Sequence, residues 1–317
     1  MNSFEGIEKR FRQLHDSRFK EYELNLIEQK KRSERKIGSK KEREKIQHEF
    51  MTAMGMDMKK LSGAIETENR MQEIDLQKFL KEGKSLIEKR VSKSTIDAKD
   101  AAIHSAILSE SGNLVLPVYA SSIFSADKSY LSSISGENFT EGQLNSGWVF
   151  PDDPTKIHIK DTMHYPNALC WENRLDSPPE FGAHFTFTPA STGNFEMTAV
   201  MAFHGFYMLR CNDSWWNCRN AGVRLKLQLQ VHQYIDKPAK DFPIFDIEND
   251  NVDEIKNYDR THFIYDTASL RAGDPVIVTV KGVVEAYAHG GGAYSELNFS
   301  DGTSNYIEPV LLSVRKV

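Results

Sequence analysis

Residues 211–220 read CNDSWWNCRN, two tryptophans side by side in a polar stretch with a cysteine at each end. Adjacent residues of an extended chain point to opposite faces, so at most one of Trp215 and Trp216 enters a core easily. The other indole offers a large rigid surface with a polar N–H, suited to a sugar ring, a lipid interface or a protein partner. Arg210 and Arg219 flank the pair and add charge contacts or cation–π stacking. Tyr294, next to the glycine-rich turn of AHGGGAYS, completes the expected ligand- or partner-binding set of Trp215, Trp216, Arg219, Arg210 and Tyr294. Cys211 and Cys218 are read as free thiols, because the N-terminus shows no apolar leader.

Other candidate chemistry is thinner. His158 and His164 flank Asp161, but this spacing matches no recurrent metal site, so no metal is expected. Ala288–Ser295 lacks the Lys-Ser/Thr of a phosphate loop and reads as a hairpin turn. The nucleotide-binding, zinc-protease and serine-hydrolase motifs are missing, so no cofactor is expected. Asp152, Asp153, Asp161, Glu172 and Asp176 are the carboxylates that would serve a hydrolase if they converged.

These residues need a scaffold, and the composition divides it sharply. Residues 1–111 carry 24 basic and 20 acidic side chains, which leaves 16 basic and 25 acidic for the rest. The acidic remainder argues against nucleic acid as a partner. The mixed charges of the first part read as a solvated helix surface. All 11 prolines and all four tryptophans follow residue 112. Prolines break helices and aromatics favour strands, so the chain is predicted to be helical over 1–112 and β over 113–317.

The helical part has apolar stripes at Phe4, Ile7, Phe11 and Leu14, and again from Ile46 through Phe50, Ala53, Met54, Met58, Leu61 and Ile65. From Glu28 to Lys45, 13 of 18 residues are charged, and a break is expected at Gly38–Ser39. A second, shorter helix is expected to be capped by Ser94 or Thr95. Long helices of this kind pair as a hairpin or as a coiled coil between chains.

Beyond Gly112 the period becomes two. Phe195, Met197, Ala199, Met201 and Phe203 share one face, and Val223, Leu225, Leu227, Leu229 and Val231 share another. Further strands are expected at 114–120, 181–188, 261–265, 275–288, 294–299 and 307–314. Residues 135–180 read as long loops, and 211–220 as a hairpin connection. Short strands without interleaved helices predict an antiparallel β-sandwich or jelly roll. FTFTPASTGNFEM and SLRAGDPVIVTV resemble strand pairs of the tumour-necrosis-factor and complement-type jelly-roll heads, folds that often sit beyond a trimerising stalk. The last strand, IEPVLLSV, lacks the aromatic-glycine pattern of those families, and no functional residue carries over.

The expected class is α+β multidomain: a coiled-coil or helical-hairpin region followed by the sandwich. The expected function is a non-enzymatic binding or assembly protein, a homo-oligomer or part of a larger assembly through its helices. Its partner would be a glycan, a protein receptor or a membrane surface. The alternative is a secreted, membrane-active, toxin-like protein with rearranging helices, and a hydrolase comes third. The expected location is the cytoplasm, or outside the cell by a route without a cleaved signal peptide.

Overall fold

The computed structural model describes residues 48–110, 122–132, 148–165, 178–212, 220–233, 238–290 and 292–317, with scattered positions between 9 and 46. The strand expected at 114–120 and the break at Gly38–Ser39 lie outside the described residues. Among the described residues one long helix, α1 (Met58–Glu110), precedes twelve strands. These are β1 (Ser122–Phe124), β2 (Lys128–Ser132), β3 (Trp148–Val149), β4 (Ile159–Tyr165), β5 (Glu180–Phe187), β6 (Gly193–Cys211), β7 (Asn220–His232), β8 (Lys240–Asn249), β9 (Val252–Leu270), β10 (Val276–His289), β11 (Ala293–Phe299) and β12 (Tyr306–Lys316).

The strands form two sheets of six, packed as an antiparallel sandwich. In the first, β6 is central. β9 pairs along its whole length on one side, while β12 and β11 share the other, flanked by β1 and β4. The second runs β3-β2-β5-β10-β7-β8. Alternation explains the core. The five residues expected inward from β6 are all buried, as are the five from β7. Phe203 lies at the centre, with Phe299, His262, Phe181 and Tyr258 rings 5.6, 5.7, 6.3 and 6.5 Å away. β6 and β9, at 19 residues each, are far longer than the short strands expected. The β8 and β9 edges lie near each other and carry protection against further pairing. Pro243 interrupts β8, and Lys240 Nζ donates to the Tyr265 carbonyl of β9 at 3.1 Å.

Four readings need correction. Residues 135–180 contain β3, β4 and the first residue of β5, because their strands carry polar, turn-rich sequence on sheet flanks. α1 is continuous, with no cap at Ser94 or Thr95. The break falls earlier, where the apolar stripe seemed unbroken. Gly55 takes a φ of 79°, and the Asp57 carboxylate accepts from the N–H groups of Lys59 and Lys60 at 3.1 and 3.2 Å, capping α1. Finally, the described helix has a partner in its own chain, so the hairpin or coiled coil is not needed to bury it. Leu76 and Phe79 are buried against Phe206, Met208 and Tyr294 on the outer face of the first sheet, with Leu80 and Ile255 packed alongside. These outward residues of β6 alternate with the core-facing Tyr207 and Leu209.

Gly83 lies against the sheet, and a Cβ there would run into the Met208 sulfur. Gly83→Leu is therefore expected to lift α1 off the sheet. Hydrogen exchange should show amides of 72–83 losing protection while those of β6 and β10 keep theirs.

Candidate functional site

β6 and β7 do not form a hairpin. They belong to different sheets, so the chain passes from the first sheet to the second between Asn212 and Asn220. The crossing is anchored on both sides. Cys211 is fully buried and its thiol donates to the Asp250 carbonyl at 3.4 Å. Ala221, the second residue of β7, is fully buried as well. Trp215, Trp216, Cys218 and Arg219 lie outside the described residues. Asn212 at the near end is exposed.

The outer face of the second sheet continues from this crossing as a polar cluster. Asn220 Nδ2 donates to Glu248. Arg224 Nε donates to Asp246 at 2.7 Å and its Nη1 to Glu285 at 3.2 Å. The guanidinium also stands 5.4 Å from the Tyr287 ring centroid. That ring lies over Gly222, and its hydroxyl donates to Asp246 at 3.2 Å and to Glu248 at 3.3 Å. Burial first, then the charges of Asp246 and Glu248, hold the Tyr287 hydroxyl well above the usual phenol range, so it stays a donor. Hydrogen bonding to Asp246 likewise keeps Arg224 charged. Asp246 and Glu285 hold the Arg224 guanidinium while Glu248 accepts from Asn220 and Tyr287, so the cluster has three carboxylates to one guanidinium and is rich in acceptors and net negative.

Arg210 and Tyr294 are placed elsewhere in function. Both are buried under α1, on the outer face of the first sheet. Arg210 Nη1 donates to Asp253 at 3.3 Å, Nη2 lies 4.0 Å from Asp75 of the helix, and the guanidinium is 5.5 Å from the Phe79 ring. Tyr294 meets Phe79 edge-on at 6.4 Å and donates its hydroxyl to Glu296. These two residues hold the helix.

The histidine–aspartate set is pulled apart by the strand period. His164 and Asp161 lie an odd number of residues apart on β4, which puts them on opposite faces. Asp161 accepts the Ala286 N–H at 2.8 Å, joining the two sheets, while His158 Nδ1 is 3.0 Å from the Asn305 carbonyl oxygen. No cluster of three His, Cys, Asp or Glu side chains fit for a metal occurs among the described residues. Asp153 is occupied in a turn. It accepts from the Thr155 hydroxyl at 2.5 Å and the Thr155 N–H at 2.9 Å, which hold its carboxyl below the usual range. Glu172 and Asp176 lie outside the described residues. No helix among the described residues is long and apolar enough to cross a membrane.

One titrating group in the core gives a pH dependence. His262 stacks on Tyr258, whose hydroxyl lies 2.7 Å from its Nε2. Burial, then the nearby Arg260 charge, depresses the imidazole, and burial pushes Tyr258 up to about 12. The folded state thus binds the His262 proton less readily than the unfolded chain does. Its contribution to stability is full above the unfolded value of about 6.5 and is lost as pH falls through the lower folded value. The urea midpoint should drop between pH 7.5 and 5.5, and His262→Gln should flatten part of that slope.

The polar cluster escaped sequence reading because it needs the strand register. Arg224 is recognisable as an outward residue of β7, but its opposition to Glu285 and Asp246 follows only from the pairing of β7 with β10 and β8.

No family model matches the chain, and no curated protein matches it. Among solved structures, the carbohydrate-binding module TmCBM61, solved in complex with β-1,4-galactotriose, shares 11% identity at a TM-score of 0.19. The match covers 66% of this chain and 93% of that one. The Eiger tumour necrosis factor of S. frugiperda shares 10% identity at a TM-score of 0.19, over 62% of this chain and 91% of its own. Scores this low carry no inference about ligand or partner.

Proposed function

We propose that this chain is a non-enzymatic binding protein whose sandwich presents the β6–β7 crossing to a partner. The observation that carries this reading is topological. β6 and β7 belong to different sheets, so Trp215, Trp216 and Arg219 fall in the sequence that connects one sheet to the other, between two buried residues, Cys211 and Ala221. The acceptor-rich cluster of Asp246, Glu248 and Glu285 begins at Asn220, the first residue after that connection. Adjacent indoles suit the apolar face of a sugar ring, and carboxylates suit its hydroxyls. A glycan is therefore the ligand class to test first. The test is a glycan array probed with the wild-type chain and with W215A/W216A. The double variant should lose the binding the wild type shows. Binding kept in full by the double variant would overturn the assignment of the crossing.

A further inference from the structure

The contact between α1 and the first sheet turns on one methionine. Leu76, Phe79, Phe206, Met208 and Tyr294 form a small cluster of their own, separate from the sandwich core. Met208 is 3% exposed, and its sulfur lies so close to Gly83 that one carbon added to the glycine would run into it. Strand register supplies the neighbours on the sheet. Glu296 of β11 stands opposite Met208 on one side, and Ile255 of β9 on the other. Glu296 is itself buried. It accepts from the Tyr294 hydroxyl and from Asn298 Nδ2 at 2.5 Å, and Asn298 Nδ2 also donates to Asp301 at 2.9 Å. The single Tyr294 proton and both Asn298 protons are thus spent. Arg210, two residues along β6, holds Asp253 at 3.3 Å and faces Asp75 of the helix at 4.0 Å.

We propose that Met208 is a redox latch: oxidation of its thioether by hydrogen peroxide releases α1 from the sheet. A sulfur lone pair attacks one peroxide oxygen, and the S–O bond forms as the O–O bond breaks. The proton of the transferred hydroxyl passes to the departing hydroxide, which leaves as water. Sulfur loses two electrons and the peroxide gains them, giving the sulfoxide. The product adds an oxygen to a sulfur already packed against Gly83, and that oxygen is a hydrogen-bond acceptor set beside a buried carboxylate. Either it goes without a donor, or it draws Arg210 away from Asp75, an ion pair that ties helix to sheet. Both weaken the docked state. Met208 is covered while α1 is seated, so peroxide reaches it only in molecules whose helix has lifted, and oxidation then traps them there. Met54, Met56 and Met71, exposed at 68%, 54% and 61%, react wherever the helix sits.

The test treats the full-length chain with hydrogen peroxide. Peptide mass spectrometry follows oxidation of each methionine, and hydrogen exchange of the 72–83 amides is read in the same samples. Met54, Met56 and Met71 should convert first, with the 72–83 amides still protected. Exchange there should then speed up roughly tenfold or more, in step with conversion of Met208, while amides of β6 and β10 keep their protection. Methionine sulfoxide reductases should restore the slow exchange. M208L cannot be oxidised at this position and should stay protected through the same treatment. Should M208L seat the helix poorly, the wild-type time course decides alone. Protection of 72–83 that survives complete oxidation of Met208 overturns the latch. So does protection lost before Met208 converts, and so does a Met208 still unoxidised once the exposed methionines are complete.

Discussion

Phe203→Ala lowers the stability of the sandwich by about 3–5 kcal/mol, the range for removing a buried aromatic ring. The side chain is fully buried and central. It is edge-on to Phe181 of the second sheet and to Phe299 and Tyr258 of the first, and it borders His262. A small side chain there leaves a cavity between two sheets whose backbones are fixed by β6 pairing on both edges, so the void cannot collapse. For a domain of this size the melting temperature should fall by about 2–4 °C per kcal/mol, so by roughly 6–20 °C in all. Val310→Ala is the contrast. Val310 is 39% exposed at the bulge between Pro309 and Leu311, and its loss should stay within about 0.5 kcal/mol. Thermal unfolding followed by circular dichroism separates the two.

Particular residues show what the sequence made legible. The inward sets of β6 and β7 were readable because each strand is wetted on one face for part of its length, so alternation survives in the sequence. His232 marks the limit. It stands among the outward residues of β7 yet is almost fully buried. The face a residue occupies follows from period, while whether that face is covered follows from the tertiary fold. β8 and β4 escaped for a related reason. Their side chains are half-buried on sheet flanks, so apolar and polar positions are not cleanly sorted. The helix break at Gly55–Asp57 was hidden because the apolar spacing runs straight through it. The positive φ of Gly55 and the Asp57 cap override that spacing locally.

The binding residues divide in the same way. Arg210 and Tyr294 were expected to bind a ligand or partner, and the structure packs both under α1 instead. Their neighbours were not readable, because Phe79 and Asp75 come from a helix more than a hundred residues earlier. A charged side chain over an aromatic ring is the same chemistry whether the ring is a ligand's or the protein's own. The crossing at 212–219 could be located from the two flanking strands, but that it spans two sheets, and is no hairpin, depends on β7 pairing with β10 and β8 rather than with β6.

The central claim, that the β6–β7 crossing is a contact surface and not a core plug, is decided by the melting curve of W215A/W216A. An exposed pair contributes little to stability, so the double variant should melt within about 2 °C of the wild type, as surface substitutions do. Each buried tryptophan would instead cost about 3–5 kcal/mol on truncation. A buried pair would then drop the melting temperature by well over 10 °C or leave the chain insoluble. The account predicts an unchanged melt with loss of glycan binding. A strongly lowered melt would contradict it and would make the two tryptophans part of the packing that closes the end of the sandwich.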